Sequence, residues 1–153
     1  TYIWTDQGWL YLSTIEDLFS RFIAGWAIER YLSDVLTRKA LIMALGRRKT
    51  TPGLIHHSDR GSQYASSAYR ALLDNAGIVQ SMSRRANAYD NAPMESFYSR
   101  LKNELTHHRH YRTRDEARRD IFEYIEVFYN RRRLHSALGY RSPTDFEALA
   151  NST

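Results

Sequence analysis

Between residues 2 and 28 the apolar positions fall into three short runs separated by turn-forming residues. Residues 2–4, 9–15 and 22–28 are rich in Tyr, Trp, Ile, Leu and Phe, side chains that pack well on a pleated surface. Thr5-Asp6-Gln7-Gly8 has turn composition, and Ser20-Arg21 is too short a link for a crossover. The three runs therefore predict an antiparallel meander, with Gly25 marking a bulge. Their pattern assigns Trp9, Tyr11, Phe22 and Trp26 to the core.

The pattern then changes period. Leu36, Ala40, Met43 and Ala44 form a helical stripe behind Ser33 as N-cap, and Gly46 is its predicted stop. Leu54-Ile55 predicts a short buried strand over residues 53–57, reached by a parallel crossover. Tyr69, Leu72, Leu73 and Ala76 repeat the helical spacing, with Ser66 or Ser67 as cap and Gly77 as stop, and Ile78-Val79 predicts another strand. Residues 81–91 hold few large apolar side chains and read as a mobile loop. Asn91 is the predicted cap, and Pro93 the first-turn residue, of a helix whose core stripe is Met94, Phe97, Leu101 and Leu105. Thr113 and Glu116 form a capping box for a last long helix that buries Ala117, Ile121, Tyr124, Ile125 and Phe128. Gly139, Pro143 and the polar end predict an extended tail. The order is an α/β layer sandwich with one mixed sheet: residues 1–131 form the core domain and 132–153 a basic tail of that domain.

Composition narrows the functional classes. At 153 residues with 42% hydrophobic and 25% charged residues, the chain is one ordinary globular domain. It has no Cys, hence no disulfide framework or thiolate metal site. No apolar run approaches 20 residues and no signal peptide is visible, so a cytoplasmic location is the default. The net charge of +5 is concentrated: residues 100–141 hold 11 Lys or Arg against 6 Asp or Glu. A localised basic surface suits a polyanion such as DNA, although arginines near a helix end also serve its dipole.

The candidate chemistry lies in two stretches, His57-Ser58-Asp59-Arg60-Gly61-Ser62-Gln63-Tyr64 and Asp90-Asn91-Ala92-Pro93-Met94-Glu95-Ser96-Phe97. Asp59 follows a predicted strand, where open α/β sheets place ligands. Glu95 and Lys102 are two helical turns apart and share a face. Two carboxylates and a lysine would make a cation site with a phosphate contact, the elements of two-metal phosphoryl transfer. Taken alone, Asp59 reads as a turn residue and Glu95 as a helix-dipole acid. His56 and His57 are a second metal option.

These motifs, with Gly8-Trp9-Leu10-Tyr11-Leu12, Asp17-Leu18-Phe19-Ser20-Arg21 and Tyr129-Asn130-Arg131-Arg132-Arg133-Leu134-His135-Ser136-Ala137-Leu138-Gly139-Tyr140, resemble the catalytic core of DDE insertion-sequence transposases, relatives of retroviral integrases. The resemblance covers nearly the whole chain. It implies an RNase H-like fold, a metal triad of Asp, Asp and Glu with 35 residues between the last two, and Mg²⁺ or Mn²⁺ as cofactor. Asp59 and Glu95 match the second and third members. The first would lie two residues before Thr1; Asp6 and Asp17 are the nearest acids within the chain and match neither position. The implied reaction is cleavage of transposon-end DNA and strand transfer into target DNA by a homo-oligomer. Lys102, Arg84, Arg85, Asn91, Arg131, Arg132 and Arg133 are the candidate DNA contacts. Without the first Asp the chain is expected to be impaired in catalysis, and the end-binding domain of such enzymes is expected upstream. The alternatives are an RNase H-like nuclease without strand transfer and an inactive DNA-binding or interaction fragment.

Overall fold

The protein is described by a computed structural model covering residues 1–82 and 92–152. Strands β1 (Tyr2–Thr5), β2 (Gly8–Glu16) and β3 (Ile23–Glu29) form the predicted antiparallel meander. Gly8 closes the first hairpin at φ 117°, a conformation that L side chains rarely adopt. The β2–β3 ladder slips between Ile15 and Glu16, since Ile15 faces Gly25 while Glu16 faces Ile23. Gly25 itself serves another end. A Cβ there would stand 2.1 Å from the Ala40 carbonyl oxygen, so the missing side chain is what admits helix α1 (Asp34–Arg47) against β3.

Each face of the meander is covered differently. Ile3, Leu10, Leu12 and Ile23 pack against Phe97 and Leu101 of α3 (Ala92–Glu104) and Ala117 and Ile121 of α4 (Arg114–Phe122). The opposite face takes α1 through Ala27, Leu36 and Ala40. That helix covers β2 and β3, and the aromatics at the β1 end stay in solvent: Trp9 is 44% exposed, with Tyr2 and Trp4 in edge-to-face contact with it. Trp9 is therefore not a core residue, and Tyr11, Phe22 and Trp26 are only half-buried.

Strand β4 (Ile55–Ser58) pairs in parallel with β5 (Val79–Met82), with α2 (Ser67–Asn75) crossing between them. Ser66 caps α2, its hydroxyl accepting from Tyr69 N at 3.1 Å. Two expectations need correcting here. Leu54 and Ile55 are exposed rather than buried. Among the described residues the ladders form two sheets, one of three strands and one of two, instead of one continuous mixed sheet. The outer edge of β1 bridges Tyr111 at Thr5.

The last long helix also departs from a simple 3.6-residue reading. Thr113 caps α4 by accepting from Glu116 N, and Glu116 reaches back to Arg112 N. From Glu123–Tyr129 the chain then widens into a π-helix, with Asn130 N donating to Ile125 O at 3.0 Å. The wider turn advances the buried face by one residue. Tyr129 is fully buried, and Phe128, the expected core residue, is 40% exposed. It also delivers Asn130 to β3, where its amide accepts from Ile23 N and donates to Ile23 O.

The C-terminal region is folded, not extended. Helix α5 (Pro143–Asn151) has Ser142 as cap and Pro at its first position, where the missing N–H costs nothing. It docks through Phe146 on Phe19, Glu147 on Arg48, and Thr144 on the Asn130 carbonyl.

Candidate functional site

Asp59 follows the C-terminal end of β4, where its chain position predicted it. Its side chain is exposed, and one carboxylate oxygen accepts from Gly61 N at 2.7 Å. That bond fixes the orientation of the carboxylate. A Cβ on Gly61 would stand 2.9 Å from the Asp59 oxygen that accepts this bond, so a larger residue there would push that carboxylate aside. Behind Asp59, His56 Nε2 bonds the Tyr69 hydroxyl at 2.7 Å and His57 Nδ1 contacts Ser81 at 3.2 Å. Burial pushes His56 down to about 4, with His57 adding to the effect, so His56 is neutral and accepts from Tyr69. With that nitrogen occupied, His56 ties β4 to α2, and the pair does not read as a metal site.

Glu95 is exposed in the first turn of α3 and Lys102 half-buried in its last. The helix is held to β2 by Thr14, whose hydroxyl bonds the Tyr98 hydroxyl at 3.0 Å and contacts Met94 Sδ at 3.6 Å. Lys102 Nζ stands 5.3 Å from the centre of the Tyr2 ring, a cation–π contact. Three observations gather these groups at one end of β1. Burial pushes the Thr1 amino group down to about 6, helped by Lys102 and opposed by Asp59. Tyr64 is raised by burial and by Asp59. Tyr98, one turn beyond Glu95, is raised by burial with Asp59 among the contributing charges. Asp59, Lys102 and the N-terminal half of α3 therefore lie within electrostatic reach of one another. The described residues contain no group of three or more His, Asp or Glu placed to hold a metal.

The remaining candidates divide. Arg84, Arg85 and Asn91 lie outside the described residues. Arg131 and Arg132 are exposed, as a phosphate contact requires. Arg133 is committed elsewhere: its guanidinium grips Glu104 of α3, which also accepts from Tyr124. Burial alone would raise Glu104, but these hydrogen bonds from Arg133 and Tyr124 outweigh it and hold the carboxyl below its usual range. Asp6 pairs with His110 at 2.8 Å, in the turn at the far end of β1 from Thr1, roughly 16 Å along the strand. Asp17 accepts from Phe19 N in the β2–β3 hairpin. Neither belongs to a group of three metal-ligating side chains among the described residues.

The sequence matches the integrase core domain over residues 1–88 and again over 95–149. The chain belongs to the integrase core domain family. It is 51% identical over 147 residues to a transposase for insertion sequence element IS904 of Lactococcus lactis, covering 96% of this chain and 58% of that protein. It is 46% identical to the transposase InsF for insertion sequence IS3A of Escherichia coli K12, covering 96% and 51%. The chain thus spans about half the length of the curated relatives it matches. Among solved structures it is similar to the catalytic core domain of BIV integrase (TM-score 0.65, 13% identity, 99% of this chain and 93% of that one). It is also similar to the HTLV-2 integrase catalytic core domain in complex with magnesium (TM-score 0.66, 14% identity, 95% and 90%). The fold is that of these RNase H-like integrase cores. No helix among the described residues is long and apolar enough to cross a membrane.

One cluster escaped the sequence reading. Glu16 of β2 is buried, 3.8 Å from Arg21, and interacts with Arg100; Tyr129 and His135 lie beside it. Burial pushes Glu16 up to about 7 and His135 down to about 4. The available signal was an acid at the end of β2, two residues beyond the run Leu12-Ser13-Thr14 that the fold buries.

Proposed function

We propose that this integrase core domain is the catalytic part of a DDE transposase that cuts transposon-end DNA and joins its 3′ end to target DNA. The observation that carries the reading is the register of β1. Thr1 exchanges both backbone hydrogen bonds with Leu12, so a residue two positions upstream would stand opposite Thr14. Thr14 is the residue that contacts Met94 and Tyr98 on either side of Glu95 in the chain, and Thr1 senses Asp59. An Asp at that upstream position would point to the same face as Thr14, the face on which α3 packs.

The donor set fits a hard divalent cation: Asp59 and Glu95 are exposed carboxylates. Mg²⁺ or Mn²⁺, when bound, supplies Lewis-acid stabilisation of the attacking and leaving oxygens of a phosphodiester. The Gly61 N–H holds the Asp59 carboxylate in one orientation. Lys102, steadied over Tyr2, places a point charge for a backbone phosphate near the scissile bond. Arg131 and Arg132 hold the duplex without reading its sequence, with Arg84, Arg85 and Asn91 as further contacts. The active assembly is a homo-oligomer, a reading supported by the trimeric form of the HTLV-2 core.

The test is strand transfer with Mg²⁺ on transposon-end DNA, using the chain extended upstream through the strand that carries the first Asp. Asp59→Asn and Glu95→Gln should each lower joining by at least about a hundredfold, since loss of a ligand misplaces the reacting atoms. Joining that survives both substitutions would refute the assignment. Hydrolysis without joined product would favour the nuclease reading, and salt-sensitive DNA binding with neither reaction would favour the binding fragment.

A further inference from the structure

Among the described residues, Glu16 Oε2 and His135 Nε2 are buried without a hydrogen-bond partner, and both lie beside Tyr129, whose hydroxyl interacts with Arg100. The Tyr129 and His135 rings meet edge to face at 5.2 Å, and Glu16 and Arg100 both interact with Tyr129. Buried groups without partners are costly, and their concentration at one point suggests a missing ligand rather than a packing fault. Beside them opens a cavity of about 260 Å³, lined by Arg21, Ser96, Arg100, His135 and Ser136 and floored by Ala92 and Pro93 at the start of α3. His135 is only 4% exposed and lines this cavity.

We infer that this cavity binds a phosphate group, held by Arg21, Arg100, His135 and the hydroxyls of Ser96 and Ser136. Two guanidiniums, an imidazole and two hydroxyls on one hollow suit a tetrahedral oxyanion, which offers acceptors in several directions at once. The first turn of α3 adds its positive dipole end. Glu16 offsets the arginines only in part near neutral pH, because burial raises its carboxyl to about 7 and leaves it mostly protonated below that. Arg21 is held at φ 65° in the β2–β3 hairpin, a left-handed conformation rare for a side chain of this size. Such conformations persist where the surroundings over-determine them, frequently at ligand sites.

The position of the cavity deepens the proposed reaction, and this part rests on it. Ser96 and Arg100 are roughly a third of a turn around α3 from Glu95. A strand whose scissile phosphate lies at Glu95 would place a neighbouring phosphate in the cavity. Free phosphate is the other source of the same chemistry.

The experiment follows the His135 imidazole nitrogens by NMR in the ¹⁵N-histidine-labelled chain, titrated with inorganic phosphate and separately with a short DNA duplex. Fluorescence anisotropy of the labelled duplex measures DNA binding in parallel. Inorganic phosphate should move the His135 signals saturably, and Arg100→Gln should weaken that binding at least about tenfold, the loss of one charge-assisted contact. Arg100→Lys, which keeps the charge, should recover part of it. Movement with both ligands identifies a DNA phosphate; movement with inorganic phosphate alone identifies a free-phosphate site. If neither ligand moves His135 the inference is wrong, even where anisotropy shows DNA bound elsewhere. Phosphate binding at His135 in a chain that fails to bind DNA would sustain the cavity and sink the proposed function instead. The unsubstituted chain decides the matter, so a variant that fails to fold leaves the test intact.

Discussion

Replacing Glu16 by Gln removes a carboxyl that the fold prefers to keep protonated. Its side chain is 3% exposed, one oxygen has no partner, and the nearest cation recorded, Arg21, is 3.8 Å away. Burial raises it from the ordinary value of 4.5 to about 7, more than Arg21 and Arg100 offset. The folded state therefore binds this proton more tightly than the unfolded chain. The stability contributed is fully present below pH 4.5 and is lost as pH rises through about 7. At about 1.4 kcal/mol per pH unit the loss is about 3 kcal/mol. For a domain of this size that is a fall of about 6–12 °C in Tm. Glu16→Gln keeps the shape without the titration. The measurement is thermal and urea unfolding of both proteins at half-unit steps from pH 5 to pH 8. The difference between them cancels contributions from other groups, such as His56 and His135, whose lowered values act in the opposite direction. The wild type should lose stability relative to the Gln variant as pH rises, and the gap should level off above about pH 7.5. Two parallel pH profiles would refute the argument that desolvation controls this carboxyl.

Asn130→Ala should cost about 2–5 kcal/mol by urea denaturation, because it leaves both Ile23 N and Ile23 O buried without partners. Gly25→Ala should destabilise by at least about 2 kcal/mol, since the new Cβ meets the backbone of α1 at Ala40 and Ala44, which cannot rotate away; near-neutral unfolding would mean that α1 is free to shift. Replacing Arg131 and Arg132 together by Ala should flatten the dependence of log K on log salt for duplex DNA by about 1.8, with sequence preference unchanged. Arg133→Ala should instead lower Tm by releasing Glu104, and a salt slope that moves with Arg133 rather than with Arg131 and Arg132 would reverse those roles.

The alternation of residues 2–28, the stripe of α1 and the caps at Ser66 and Thr113 were enough for the order of elements, since each depends on neighbours within a turn or a strand. Asp59 and Glu95 stood out as a candidate pair because the motifs around them are local and their spacing is linear. The sequence by itself determined this order and the family. Tertiary structure decided what depends on which surface lies opposite. Gly25 reads locally as a bulge but serves the approach of α1. Trp9 has the composition of a core residue, yet α1 packs on β2 through Tyr11 and Ile15 and stops short of Trp9. Phe128 yields its place to Tyr129 because a π-turn lets Asn130 reach β3, a gain that no periodicity encodes. Arg133 is indistinguishable from Arg131 and Arg132 until Glu104 arrives from α3. Glu16 and Arg21 share one hairpin, but Arg100 and His135 come from distant segments, and each is unremarkable alone. Only folding brings all four together, and burial there raises Glu16 and lowers His135.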